Sequence, residues 1–153
     1  MRRLVLPTSW ALVVLYLGSS YFGAEQTRDL VSPILKWLAP TAPPAALQAA
    51  HLLLRKLCHL SEYGILAFLW FRTLIARPDR SPRAAAWLAL GICLTCAFVD
   101  EAHQSMLLTR TGSARDLVLD AAGALGVLIV SRTRREAGDR IPWVDVATPQ
   151  SAE

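Results

Sequence analysis

Four long apolar runs constrain what this sequence can fold into more than any other feature. The first (residues 4–22) and the third (84–99) contain no charged residue, and the second (57–76) and fourth (117–130) contain only a few. A helix of about 20 apolar residues crosses the hydrocarbon core of a bilayer. The runs therefore predict membrane-spanning helices at about 4–22, 57–76, 84–103 and 114–131.

The composition agrees with a membrane protein. The chain has 153 residues, which normally form one domain, and 54% of them are hydrophobic. The mean hydropathy of +0.36 is too apolar for a typical soluble domain. We predict an all-α, integral membrane four-helix domain over residues 1–131. A polar tail without a folding pattern, disordered and cytoplasmic, is predicted over 132–153.

The first run has two interpretations. Arg2 and Arg3 precede it, as in a secretory signal peptide. The residues before Ala24, Tyr21-Phe22-Gly23, make a poor small-x-small cleavage site, however. A retained membrane anchor is therefore favoured.

The next segment is amphipathic. Apolar residues at helical spacing lie opposite charged ones, which predicts a short helix in the membrane interface after the first crossing. The apolar set is Leu30, Val31, Ile34, Leu35 and Leu38, and the charged set is Arg28, Asp29 and Lys36. Prolines at 40, 43 and 44 end this helix, and a new one is predicted from Ala45 to Ala76.

Basic residues predict the orientation. The net charge is +4 and the pI about 9.3, but the basic residues lie at the ends of apolar runs. This placement argues against a nucleic-acid partner and for a membrane protein. Four crossings divide the 16 Lys and Arg residues into ten on the side of the termini and six on the other. Both termini of this multi-pass protein of the cell membrane are therefore predicted to be cytoplasmic.

The topology brings polar side chains from three helices to the outer side of the membrane. Charges at this depth are costly unless they pair or serve a function, so we predict a polar pocket in the outer leaflet. Its predicted members are Lys56, His59, Glu62 and Tyr63 from the second crossing, Asp100, Glu101 and Gln104 from the third, and Asp116 and Asp120 from the fourth.

The start of the fourth helix sharpens this prediction. The segment 117–131 spans about 22 Å as a helix, less than a bilayer core of about 30 Å. Ser113-x-x-Asp116 predicts an N-cap within the polar pocket. Ala122, Gly123 and Gly126 predict a face of small residues for close helix packing.

These residues resemble the VanZ-like membrane proteins over about residues 50–130. The shared pattern is Lys56-x-x-His59-x-x-x-Tyr63, Asp100-Glu101-x-x-Gln104, Arg110-x-x-Ser113-x-x-Asp116 and Gly123-x-x-Gly126. The resemblance implies a four-helix membrane domain, a role in the cell envelope or in susceptibility to teicoplanin-type glycopeptides, and these polar positions as the site. Asp120 departs from the asparagine of the family pattern, and Leu108-Thr109 replaces its proline-glycine.

Two hypotheses for the site remain open. An enzyme acting on a lipid-linked or phosphate-bearing envelope substrate would use His59, Glu62, Asp100 and Glu101 in acid–base chemistry. A non-catalytic protein would recognise a cell-wall precursor or a glycopeptide. In either case the substrate-binding set is Lys56, Tyr63, Gln104, Arg110, Ser113, Asp116 and Asp120. Each side chain also has a purely structural interpretation, such as a snorkelling lysine or an interhelical histidine.

Two features of the sequence could indicate a metal or redox site. Five carboxylates in this pocket face three cations, Lys56, Arg110 and Arg115, and the surplus could recruit a divalent cation. Cys93-x-x-Cys96 has the spacing of a redox or metal motif. It lies in an apolar run without a second ligand pair, so we interpret both cysteines as small apolar residues.

Overall fold

The computed structural model describes residues 2–19, 23–106 and 114–140, and these ranges contain five α-helices and no strand. The predicted all-α class is confirmed. In chain order the helices are α1 (Arg2–Leu17), α2 (Ala24–Leu38), α3 (Pro44–Ile75), α4 (Pro82–Ser105) and α5 (Ala114–Arg140).

Helices α3, α4 and α5 form the centre of the fold, and α1 and α2 pack against α3. Small residues on α4 allow its neighbours to approach closely. Cys93 is buried among them, and the chain's three cysteines form no disulfide. The core comprises Val14 from α1, Tyr63, Leu66, Ala67 and Phe71 from α3, Ala85, Ala89, Leu90, Cys93 and Ala97 from α4, and Ala124 and Leu128 from α5.

The contact between α3 and α5 is closest at Gly123. A methyl group added there would overlap the backbone carbonyl of Leu60 on α3. Gly64 lies one turn further along α3, where an added Cβ would stand 3.1 Å from the side chain of Val127. Gly126 is different, because an added Cβ would meet no described atom within 4 Å. The predicted small-residue face therefore packs through Gly123 and not through Gly126.

Helix α1 runs antiparallel to α3. At one end the Arg3 guanidinium donates to the carbonyl of Ala76 at 3.2 Å, and the Thr73 hydroxyl donates to the carbonyl of Arg3 at 3.2 Å. At the other end Gly18 lies against the carboxylate of Asp100, near the end of α4. The C-terminal ends of α1 and α4 therefore meet. They lie beside the first half of α3 and the start of α5.

Two predicted helix ends were wrong. Helix α1 ends at Leu17 and not at residue 22, because Gly18 and Ser19 leave the helical conformation. Helix α5 continues to Arg140, so residues 132–140 are helical and not disordered. Arg132 and Glu136, one turn apart, form an ion pair of 2.7 Å that supports this charged extension.

The helix predicted from Ala45 to Ala76 is α3, and each of its observed ends differs from the prediction by one residue. Pro44 occupies the first turn of α3, where its missing N–H costs no hydrogen bond. Ser81 caps α4, since its hydroxyl accepts from the Ala84 N–H at 3.2 Å. The amphipathic segment forms α2 as predicted, and the indole of Trp37 on its outer face is 80% exposed.

By length and composition, α4 is the one helix among the described residues that could cross a membrane. Helix α1 is apolar but shorter.

Candidate functional site

A histidine–aspartate pair joins α3 to α5. Nδ1 of His59 lies 3.3 Å from Oδ1 of Asp120, and the aspartate is only 3% exposed. The first turns of α5 bring Asp120 to this position, next to the close helix contact at Gly123. A carboxylate beside Nδ1 favours the tautomer with the proton on that nitrogen. Nε2 is then the ring atom that can accept a proton or a hydrogen bond.

A second buried pair lies on α4. The side-chain amide of Gln104 donates to Oδ2 of Asp100 at 2.9 Å, and the aspartate is 3% exposed. The two residues are one turn apart, so they share a face of the helix. Because Gly18 has no side chain, the end of α1 can lie directly against this carboxylate.

Tyr63 and Glu62 connect the two pairs. The tyrosine is buried in the core within electrostatic range of Asp100 and Asp120. The half-buried Glu62 interacts electrostatically with His59 and both aspartates. Its backbone carbonyl accepts from the indole N–H of Trp10 on α1 at 3.0 Å. The result is a cluster rich in carboxylates, contributed by α3, α4 and α5 and covered by α1.

The described residues contain no group of three or more His, Cys, Asp or Glu side chains arranged to hold a metal ion.

A cavity of about 300 Å³ opens beside this cluster, between the end of α1, α2 and α3. Its walls are mixed, with polar groups at both ends and apolar side chains between them. The lining residues are Leu17, Thr27, Val31, His51, Leu54, Arg55, Cys58, His59 and Glu62.

Thr27 organises the α2 side of the cavity. Its hydroxyl donates to the carbonyl of Gly23 at 2.8 Å and accepts from the Arg55 guanidinium at 3.1 Å. Nε2 of His51 lies 3.3 Å from the same hydroxyl oxygen. A hydroxyl has one proton, and here it is given to Gly23, so Nε2 of His51 must be the donor. Threonine, arginine and histidine therefore hold one another in fixed positions.

His51 is buried, and its surroundings are cationic. Burial, together with the guanidinium groups of Arg55 and Arg28, lowers the pKa of His51 below its ordinary value. The ring is therefore neutral at pH 7, which agrees with its role as a donor through Nε2 alone.

The structure brings most of the predicted site residues together. His59, Glu62, Tyr63, Asp100, Gln104, Asp116 and Asp120 lie in or beside the cluster. Glu101 is half-buried near the same end of α4. Lys56, predicted on the same face as His59 and Tyr63, is exposed and does not line the cavity. Arg110 and Ser113 lie outside the described residues, and α5 begins directly after them at Ala114.

Three polar residues of the cavity were not predicted from the sequence. They are Thr27, His51 and Arg55. One signal was present, because His51, Arg55 and His59 follow one another at intervals of four and so form a polar stripe along α3. Thr27 gave no signal, since its role depends on how α2 folds back against α3.

These features define an all-helical protein with a buried, acid-rich polar cluster at one end of a three-helix core. A family model described as VanZ/LLP1 matches residues 6–134, so the chain belongs to the VanZ/LLP1 family, and the resemblance seen in the sequence is confirmed. No curated protein and no solved structure matches the chain.

Proposed function

We propose that the chain is a multi-pass membrane protein in which α1, α3, α4 and α5 cross the bilayer and α2 lies in its outer interface. Large apolar side chains on the outer surfaces of these helices support this proposal, such as Leu12 (69% exposed) on α1 and Phe98 (66%) on α4. Trp87 and Ile129 on α4 and α5 are exposed in the same way. Large apolar side chains exposed in this way are unfavourable in water and favourable in lipid.

Within that membrane protein, the cluster binds the polar part of an envelope lipid or of a lipid-linked cell-wall precursor. The observation that carries this proposal is the convergence of Asp100, Asp120 and His59 from three different helices into one buried group. Ionisable residues at membrane depth are expensive, and cohesion among four helices does not require them. The protein would act in envelope processes, including susceptibility to teicoplanin-type glycopeptides.

A second candidate function rests on the His59–Asp120 pair. A carboxylate that holds Nδ1 of a histidine leaves Nε2 as a general base, which is the arrangement of many hydrolases. His59 also lines the cavity, and in this candidate function its Nε2 would activate water or a substrate hydroxyl there. A membrane hydrolase or transferase acting on a phosphate-bearing envelope lipid would use the same cluster.

Lipids that co-purify with the protein in a mild detergent, identified by mass spectrometry, test the binding proposal. Asp100→Asn keeps the size of the side chain but removes its charge, and should lower the bound lipid at least tenfold. Asp79→Asn is the matched control, because this aspartate is exposed and far from the cluster in the turn before α4. Equal retention of lipid by both variants, or no bound lipid in the wild type, would contradict the proposal.

His59→Gln separates the two candidates. Glutamine keeps a hydrogen-bonding group but is not a base at neutral pH. A catalytic site would keep its bound lipid and lose the cellular phenotype, measured as teicoplanin susceptibility. A binding site would keep both or lose both together. Loss of both with an unchanged melting temperature would identify His59 as a binding residue.

A further inference from the structure

The cavity beside the cluster has a basic end that the proposed function does not yet use. Arg55 and His51 line it on α3, and Thr27 closes it from α2. At the opposite end stand His59 and Glu62, which belong to the acid-rich cluster. The wall of the cavity is mostly apolar, and its few polar side chains are separated by charge, cationic under α2 and anionic toward the cluster.

We propose that this cavity is a binding site for a phosphate group carried by a lipid, with Arg55 as its charged partner. The inference rests on the proposed function and deepens it, since it names the chemical class of the ligand. A guanidinium offers a planar fork of N–H groups that matches two phosphate oxygens. The hydrogen bond to Thr27 fixes the position of that fork, so little conformational freedom is lost when an anion binds.

Size and wall chemistry favour a lipid headgroup. A volume of about 300 Å³ equals roughly ten water volumes, which suits a phosphate with its glycerol and not a whole lipid. Between the polar ends the walls are apolar, formed by Leu17, Val31 and Leu54. Leu54 is exposed on the outer surface of α3, so acyl chains can leave the cavity along that apolar face.

Lys56, the exposed neighbour of Arg55, is the matched control residue for this site. Lys56 carries the same charge on the same turn of α3 but does not line the cavity. A general attraction of basic residues to anionic lipid would involve both side chains. A built phosphate site involves Arg55 alone.

Cys58 supplies a reporter within the native chain. Its side chain is exposed and lines the cavity, whereas Cys93 is buried in the core. A ligand seated in the cavity should shield the Cys58 thiol from a maleimide reagent. The labelling rate can be read at the Cys58 peptide by mass spectrometry, which keeps Cys96 from contributing.

The experiment uses the full-length protein in maltoside micelles, which contain no phosphate. Dihexanoyl phosphatidic acid should slow labelling of Cys58 at least tenfold, and dihexanoylglycerol, which lacks the phosphate, should not. Arg55→Gln should raise the concentration needed for half-protection at least tenfold, while Lys56→Gln should leave it within twofold. Inorganic phosphate is the third probe. Protection by the lipid alone assigns the site to a lipid headgroup, and equal protection by inorganic phosphate assigns it to free phosphate.

Three results would overturn the phosphate site. The first is equal protection of Cys58 by phosphatidic acid and by dihexanoylglycerol. The second is an equal loss of protection in the Arg55→Gln and Lys56→Gln variants. The third is no protection of Cys58 by any probe. If Arg55→Gln fails to fold, the comparison of probes on the wild type still decides. Failure of the phosphate site can be told apart from failure of the proposed function. If lipid co-purifies in a manner that depends on Asp100 but no probe protects Cys58, only the assignment of the cavity is refuted. Protection of Cys58 without co-purified lipid refutes only the proposed function.

Discussion

Two glycines one turn apart on α5 should respond in opposite ways to the same substitution. Alanine stabilises a helix by about 1 kcal/mol relative to glycine, and this gain is common to Gly123→Ala and Gly126→Ala. At Gly126 the new methyl group meets no described atom within 4 Å. At Gly123 it would overlap the carbonyl of Leu60, and it would stand 3.0 Å from the carbonyl carbon and 3.1 Å from Cα.

The packing cost at Gly123 can be estimated from these distances. Carbon atoms prefer a separation of about 3.5–4.0 Å, so α3 and α5 must move apart by roughly 0.5–1 Å. A gap of this size forfeits about a quarter to a half of each dispersion contact along the interface. Overpacking of a well-packed core typically costs about 1–3 kcal/mol. Gly126→Ala should therefore be more stable than the wild type, and Gly123→Ala less stable than Gly126→Ala by about 1–3 kcal/mol.

Reversible unfolding in mixed micelles, followed by circular dichroism as the fraction of denaturing detergent rises, measures both variants under the same conditions. The difference between them isolates the packing cost, because the gain in helix propensity cancels. Equal stabilities, or a Gly123→Ala protein more stable than Gly126→Ala, would refute the close contact of α3 with α5. Because that contact positions Asp120, its loss would also weaken the geometry of the His59–Asp120 pair.

Three further predictions concern other parts of the chain. The pKa of His51 is lowered in the folded protein, so the unfolded chain binds more protons at this residue as the pH falls through 6.5, the ordinary value. The contribution of His51 to stability should therefore fall in acid, and the melting temperature of His51→Gln should depend less on pH than that of the wild type. An equally acid-sensitive variant would contradict this. Gly18→Ala adds a methyl group that overlaps the Asp100 carboxylate, so that side chain must rotate away from Gln104 and the co-purified lipid should fall; unchanged lipid would show that Gly18 does not lie against the carboxylate. A cysteine in place of Ser81, in the turn before α4, should react with impermeant reagents only from the cytoplasmic side, and labelling in intact cells would refute the topology.

The sequence predicted most of the fold because its helices have clear apolar patterns and clear ends. Prolines at 40, 43 and 44 predicted a new helix from Ala45, and α3 begins one residue earlier, at Pro44. The extension of α5 to Arg140 had no such pattern. Local interactions, such as the Arg132–Glu136 pair, support that helix, and a search for apolar periodicity does not detect them.

The cluster was predicted from topology and the cavity was not. Antiparallel packing of consecutive long helices brings the start of α5 beside the end of α4 whatever the side chains are, so Asp100 and Asp120 were expected to meet. The rotation of α3 about its own axis does not follow from the order of the helices. Arg55 and Lys56 both lie at helical spacing from His59, and tertiary packing decides between them. Because α2 packs on the side of Arg55, that residue lines the cavity and Lys56 is exposed.

Asp120 departs from the asparagine of the family pattern, and its contact with His59 shows what the departure changes. A carboxylate only accepts hydrogen bonds, so the Asp120 carboxylate, 3.3 Å from Nδ1 of His59, favours the tautomer with the proton on that nitrogen. An asparagine amide can donate as well as accept, and so it does not select one tautomer.

If the protein is a hydrolase or transferase, Asp120→Asn should slow conversion of the co-purified lipid into product by about 10²–10⁴-fold. General-base catalysis contributes a rate enhancement of that size. If the protein only binds, the same variant should lower the bound lipid and the phenotype together, as Asp100→Asn does, because it likewise removes a buried carboxylate charge from the cluster. Mass spectrometry of lipid and product in one sample measures both quantities. Unchanged product release by Asp120→Asn, with His59→Gln inactive, would mean that the base does not need its carboxylate partner.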